Sequence, residues 1–478
     1  MIGDDEAARM LRRLVVVAGV GASVVFIPVG LYFRLQTYGD GSIFSYAVAV
    51  EDVWRFHWRN IVVRATVWLF NLLPGELAVA ATGSPAAGVF VYGALSFSMQ
   101  AVGLFATARL DRTQGRLFFF AACASTALLC PLVFGFPTEM LVAHALFWPT
   151  LACAFGAPRT GASAFALFAL TLALVFSHEA ALPLAFGIVA ALALRSFRDP
   201  GFLRALACFV AAAAIWFAAD HVFPPDAYFA EVRARAAGEF FDARSLAFPE
   251  LRLIGVALAA YAIVGGAFRF RARGTLAAAL AVLAGLAIRQ IGFDDTLHAD
   301  ARYYARTILL IGASLFAFVA CLAVLAQEGA PIGRLRALER ALVALRSPAA
   351  ARGMIGAMAI VLCVHVTETI KFLAAWTDYR AAVRTLATGA AADPALGAPF
   401  FVSSRRIAPA LDRLAWFSTT PYLSALVADF RPTRLVIDPA GNYFWITCAI
   451  ATANAAKQTP VPAATRDMIR VYACAHPR

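Results

Sequence analysis

Long apolar runs separated by short polar punctuation fill the first three-quarters of this chain. The first, Leu14 to Phe33, is uncharged over residues 14–33 and reaches the roughly 20 residues needed to cross a hydrocarbon layer about 30 Å thick. Similar runs begin near Ala86, Leu117, Met140, Gly161, Ala181, Leu203, Leu253, Leu276, Thr307 and Gly353. They predict an all-α polytopic membrane protein with about 11 transmembrane helices. The strands of a closed barrel are far shorter than these runs. Residues 61–80 (IVVRATVWLFNLLPGELAVA) are apolar enough to cross as well, yet contain Arg64, Asn71, Pro74 and Glu76. If they crossed, every later basic loop would change sides, so residues 35–85 read as one long outer loop with amphipathic helices at the interface.

Beyond about residue 372 the runs shorten and Pro, Asp and Arg return. Pro399–Val402 and Thr433–Ile437 have strand character and Arg406–Trp416 has helical character. The expectation is a transmembrane domain over residues 1–371 and a small extracytoplasmic α/β domain over 372–478. The first apolar run follows arginines as a signal peptide does, but is long and lacks a small-residue exit, which predicts an uncleaved helix.

Composition agrees: the 478 residues are 62% hydrophobic and 15% charged, too apolar for a soluble domain. The net charge of +12 would suit nucleic acid if it were gathered, but the arginines are scattered among the loops. Nucleic acid is therefore not an expected partner, and the lipid bilayer is. With the N-terminus inside and the spans alternating, 18 arginines fall on the cytoplasmic side and 11 outside, up to Glu368. That bias predicts N-in and C-out. Only two lysines, Lys371 and Lys457, accompany the many arginines and alanines, as in GC-rich bacterial genomes, which suggests a bacterial inner membrane with the outer face periplasmic. Six of the eight cysteines lie in or beside spans as packing residues, while Cys448 and Cys474 share the tail and can pair there if it is periplasmic. The chain has no CxxC, HExxH, P-loop or GxGxxG.

The candidate chemistry sits at the outer ends of the spans, where ionisable groups are costly to keep. Asp40 opens the first outer loop beside Gly41, with Glu51 and Asp52 about three helical turns later. Glu139 and the Ser177-His178-Glu179 run have apolar surroundings and need a partner, a metal or a proton. His298, Arg302 and Arg306 precede the tenth span, the two arginines one turn apart and able to clasp a phosphate together. Each has a bland counterpart: Asp40 as a helix cap, Glu51 and Asp52 as a solvated face, the arginines as interfacial anchors, His144 as an interhelical hydrogen-bonder.

An N-in first helix, a long outer loop with an early Asp and a later acidic pair, further outer acids and an outer tail resemble the GT-C superfamily of membrane glycosyltransferases. The resemblance covers the general plan of residues 1–372. The chain lacks a WWDYG-type motif and the adjacent acids of the protein-mannosyl branch, since Gly41 follows Asp40. The resemblance implies a cell-envelope enzyme that moves a sugar from a polyprenyl-phosphate donor to a glycan or lipid acceptor. Asp40 would activate the acceptor hydroxyl, Glu51, Asp52, Glu139, His178 and Glu179 would orient sugar or metal, and His298, Arg302 and Arg306 would hold the phosphate. A divalent cation, Mg2+ or Mn2+, serves some branches and not others. A lipid-linked glycan transporter or flippase is the main alternative, although such proteins place acids mid-span in broken helices. An envelope-assembly or acyl-transfer protein is a third, weakened because adjacent Ser177 and His178 on a helix do not face each other.

Overall fold

The computed structural model describes residues 4–55, 61–156, 160–225, 229–231, 233–234, 249–269, 276, 279–280, 283–285, 299–328, 347–412, 414–416, 418–440 and 446–475. The chain is predominantly helical. It opens with α1 (Asp4–Tyr32) and the short α2 (Asp40–Ala49), followed by a helical run over Val62–Thr82 whose last part is α3 (Leu73–Thr82). Then come α4 (Pro85–Leu110), α5 (Leu117–Leu129), α6 (Glu139–Gly156), α7 (Gly161–Val175), α8 (Ala181–Ala193), α9 (Pro200–Val222), α10 (Pro249–Arg269), α11 (Ala299–Gln327) and α12 (Pro348–Gly389).

Among the described residues seven helices are long and apolar enough to cross a membrane: Glu6–Tyr32, Val62–Thr82, Pro85–Leu110, Glu139–Gly156, Pro200–Val222, Ile308–Gln327 and Pro348–Gly389. The expected spans at Leu117, Gly161, Ala181 and Leu253 form shorter apolar helices, and the run from Leu276 falls mostly outside the described residues. The helices start and stop where local chemistry tells them to. Ser84 caps α4 by accepting from the Ala87 amide, Pro85 follows at N1, and Gly83 at φ 65° closes α3, giving a tight α3–α4 hairpin. Asp199-Pro200 and Ser347-Pro348 open α9 and α12 in the same way.

Contacts sort the helix ends into two groups. At one end Gly115 meets the Arg12 guanidinium, Arg204 reaches Ser163, and Arg195 pairs with Glu328 at 2.6 Å. At the other end lie Tyr32, Asp40, Glu139, Glu179 and Arg306. The Val62–Thr82 run begins at this second end, where Thr66 donates to the Ala173 carbonyl at the close of α7. It then packs along the early part of α4, with Asn71 on Ser96 and Gly75 against Gly88.

The bundle interior packs on small residues: Gly19 lies against the Cys123 backbone and Gly103 against that of Ala145. Between α4, α5 and α6 a buried polar network is fully paired. His144 Nδ1 lies 2.9 Å from Gln100 Oε1, Ser125 Oγ is 2.7 Å from His144 Nε2, and Gln100 Nε2 donates to the Leu141 carbonyl. His144 is thus the interhelical hydrogen-bonder expected. His365 acts likewise, 2.9 Å from the Leu128 carbonyl.

The tail contains β1 (Phe401–Ser403), α13 (Thr420–Val427), β2 (Leu435–Ile437), α14 (Cys448–Ala455) and α15 (Ala463–Ala475). The two strands are parallel, with Phe401 opposite Leu435. The helix expected over Arg406–Trp416 is instead a 3-10 turn at Ser404–Arg406 and a single turn at Pro409–Asp412, because Pro409 disfavours helix in the residue before it. Residue 372 lies inside the unbroken α12. The tail also shares one hydrophobic core with the first loop, Ile43, Tyr46, Val79 and Tyr92 packing with Phe401, Tyr422 and Tyr472. For this reason α2 is buried along its whole length rather than lying half-exposed at an interface as its apolar pattern suggests.

Cys448 and Cys474 form a disulfide that fastens α14 to α15, while Cys123, Cys130, Cys153, Cys208 and Cys321 are buried thiols. Closing a loop of 26 residues removes chain entropy worth about 3 kcal/mol. Cys448→Ser is therefore expected to lower tail stability by that order. Limited proteolysis should then cut the tail well before the helical bundle, and an unchanged digestion pattern would show the staple to be idle.

Candidate functional site

The site is built around Asp40. Gly39 precedes it at φ 56°, and a side chain there would strike the Phe136 ring, while a Cβ on Gly41 would strike the Gln36 carbonyl. Two glycines thus let the chain turn sharply and start α2 with the carboxylate pointing inward. Gly39, not Asp40, occupies the cap position, and Asp40 makes no capping hydrogen bond. Its carboxylate lies 3.9 Å from Arg306 Nη1, and Oδ1 is buried with no hydrogen-bond partner among the described residues. Burial pushes the Asp40 carboxyl up to about 6 despite the opposing pull of Arg306.

Beside it Arg64 bridges two acids. Its Nη1 donates to Glu139 Oε1 at 2.8 Å, and its Nη2 to Glu179 Oε2 at 3.0 Å, with Nε adding a longer bond to Glu179. The guanidinium also lies over the Phe229 ring, 5.0 Å from its centre. Burial alone would raise Glu179, but Arg64 outweighs it and holds the carboxylate down at about 2. His178 accepts the Ala180 amide at Nδ1, and burial lowers it to about 4, so it stands beside Glu179 as a neutral imidazole. Asp40 feels Glu139 and Arg64 as well as Arg306, and His178 feels Arg306, so these groups form one electrostatic neighbourhood. Among the described residues Arg64 and Arg306 face three carboxyls, those of Asp40, Glu139 and Glu179.

A cavity of about 30 Å³ adjoins Glu139. Phe44, Asn71, Tyr92, Ser96 and Thr138 line it, and that volume admits a few water-sized groups. The π-turn Trp68–Leu72 brings Asn71 to Ser96. Asn71 Oδ1 is buried without a partner among the described residues. Sequence reading passed over Arg64, Asn71 and Tyr92, treating the first two only as arguments against a span. The signal for Arg64 was the need of two buried acids for a cation nearby in the outer layer.

Glu51 and Asp52 do not join this group. Asp52 is buried against the tail, receiving Lys457 Nζ at 2.7 Å and Asn454 Nδ2 at 3.4 Å. Glu51 turns the chain at φ 53°, and its carbonyl accepts from Lys457. The solvated face considered for the pair is not what Asp52 occupies: it is a latch between loop and tail. Lys457→Met should leave the buried Asp52 carboxylate with Asn454 and the more distant Arg55, whose Nε lies 3.9 Å away, and cost about 2–3 kcal/mol, with Asp52→Asn in the same chain restoring most of it. Thermal unfolding of the two variants checks this, and equal losses would remove the latch.

His298, Asp294 and Asp295 lie outside the described residues, as does the side chain of Arg302. Among the described residues no three His, Cys, Asp or Glu side chains gather as a metal-binding group. Glu139 through Oε1 and Glu179 through both oxygens accept hydrogen bonds from Arg64. No protein family model, curated protein or solved structure matches this chain.

Proposed function

We propose that this chain is a membrane glycosyltransferase that passes a sugar from a polyprenyl-phosphate donor to an extracytoplasmic glycan or lipid acceptor. The observation that carries the reading is the buried Asp40 carboxylate, one oxygen without a partner among the described residues and the other 3.9 Å from Arg306, at the end of the bundle opposite the basic loops. A buried acceptor atom kept without a hydrogen bond is costly unless an incoming group supplies one. A sugar or lipid hydroxyl does so. Asp40 then takes the hydroxyl proton, the oxygen attacks the anomeric carbon, and the bond from that carbon to the phosphate oxygen breaks. Polyprenyl phosphate leaves with the bonding pair. Arg306 can stabilise that phosphate, and a phosphate that draws Arg306 away from Asp40 makes the carboxylate a stronger base. The Arg64 cluster holds the loop and the helix ends in place around this pair.

Placing the basic end in the cytoplasm, as the arginine bias requires, puts Asp40 and the disulfide-bonded tail on the outer side, where disulfides persist. The Val62–Thr82 run then belongs to the outer layer, although it is long enough to cross. An inner bacterial membrane with a periplasmic active face fits these features.

The test is transfer by purified protein in proteoliposomes, using a panel of polyprenyl-phosphate sugars and glycolipid acceptors with products followed by mass. Wild-type transfer that disappears in Asp40→Asn is the expected result. Passage of a labelled lipid-linked sugar across the bilayer with no donor consumed would replace the enzyme with a transporter.

A further inference from the structure

A cationic cluster lies away from Asp40, on the seam between α1 and α12. After Tyr32 the chain leaves α1, and the Phe33 carbonyl accepts both Trp376 Nε1 and Arg380 Nη1 at 2.9 Å. Arg34 follows at φ 53°. Its Nη1 stands 3.7 Å from Asp429 Oδ1, and Arg384 Nη2 stands 3.6 Å from Asp429 Oδ2. Among the described residues the charged side chains that act on Arg380 are Arg34, Arg384 and Asp429, so three guanidiniums share one carboxylate there. Both contacts to Asp429 are longer than hydrogen bonds, and the side chains of Arg34 and Asp429 are 55% and 68% exposed. Pairs of this kind neutralise little. Excess positive charge therefore faces outward.

What lies beneath it specifies the ligand. Val366 and Arg384 are about five helical turns apart on α12 and so share one face. Val366 and Ile370 are exposed, at 60% and 62%, and Tyr32 at the end of α1 is 81% exposed. The seam is thus apolar along the bundle and cationic where α1 ends, with an aromatic ring near the change. Free phosphate would have no use for the apolar strip, and a soluble acidic partner would leave it uncovered. A lipid satisfies both parts at once.

We infer that this seam binds the phosphate of an anionic lipid headgroup, with an acyl chain lying along Val366 and Ile370. The test uses the full chain in detergent, with lipid retention measured by native mass spectrometry against phosphatidylglycerol, phosphatidylcholine and inorganic phosphate. Wild type should retain phosphatidylglycerol about tenfold better than phosphatidylcholine. Arg34→Ala/Arg384→Ala should abolish that preference, and Asp429→Asn, which removes the competing carboxylate, should strengthen it several-fold. A thermal unfolding curve for each variant separates lost lipid from lost fold. Equal retention of both lipids, or a preference that survives the double substitution, would overturn the inference. So would displacement of phosphatidylglycerol by millimolar inorganic phosphate, which would make this a site for the soluble anion.

Discussion

Arg64→Met is expected to destabilise the protein by about 3–5 kcal/mol, the largest effect of any single change considered for this chain. The substitution keeps the length of the side chain and removes its charge. Glu139, 3% exposed, and its neighbour Glu179 would then lie in a buried layer without their shared cation. Losing it disfavours the charged form of each. The triple variant Arg64→Met/Glu139→Gln/Glu179→Gln should recover most of the loss, since hydrogen-bonding amides replace stranded charges. Thermal unfolding in detergent reads both. A loss below about 1 kcal/mol for the single variant would mean that the carboxylates already reach water.

At Asp40 the same substitution should move activity and stability in opposite directions. The carboxyl is raised to about 6, above its ordinary value near 3.8, because burial favours the neutral form. As the proposed base in glycosyl transfer it works ionised, so kcat/KM should fall about tenfold per pH unit below roughly pH 6. Asp40→Asn should lack that limb and lose about 100- to 10,000-fold at neutral pH. The stability sign follows from linkage. A raised folded-state pKa contributes stability that is fully present below the unfolded value and is lost as pH rises through about 6. At pH 8 the native protein bears the cost of a buried charge, and the asparagine variant should be more stable by roughly 3 kcal/mol. A rate profile flat down to pH 5, or an asparagine variant less stable than wild type at pH 8, would remove Asp40 as the base.

The membrane-helix character of the fold was legible because span length is a property of composition alone: Leu14–Phe33 and the run into α4 need no partner to be recognised. The span count was less so. The segments at Leu117 and Gly161 end early, at Pro131 and at the Ser177-His178-Glu179 loop, and a hydropathy window does not see a helix stop inside an apolar run. In the site, Asp40, Glu139, His178, Glu179 and Arg306 were visible as ionisable groups at span ends, and they do converge. Asp52 looked equivalent to them in sequence. It differs through Lys457 and Asn454, about 400 positions away, a pairing that local pattern cannot carry. Arg64 was hidden for the opposite reason, since a lone charge in an apolar stretch argues against burial until its two acids are found. The Cys448–Cys474 pairing was open to inference because both residues lay in the short tail.

The unbroken α12 has a mechanical meaning. A helix of 42 residues is about 63 Å long, and between Pro348 and Gly389 it contains no proline after its first position to act as a pivot. The tail is therefore mounted on the bundle as on a stiff mast, tied again at Asp52. A roof held at two points does not swing aside to admit a bulky lipid-linked molecule. In the proposed reaction the donor therefore reaches Asp40 sideways, between helices at bilayer level.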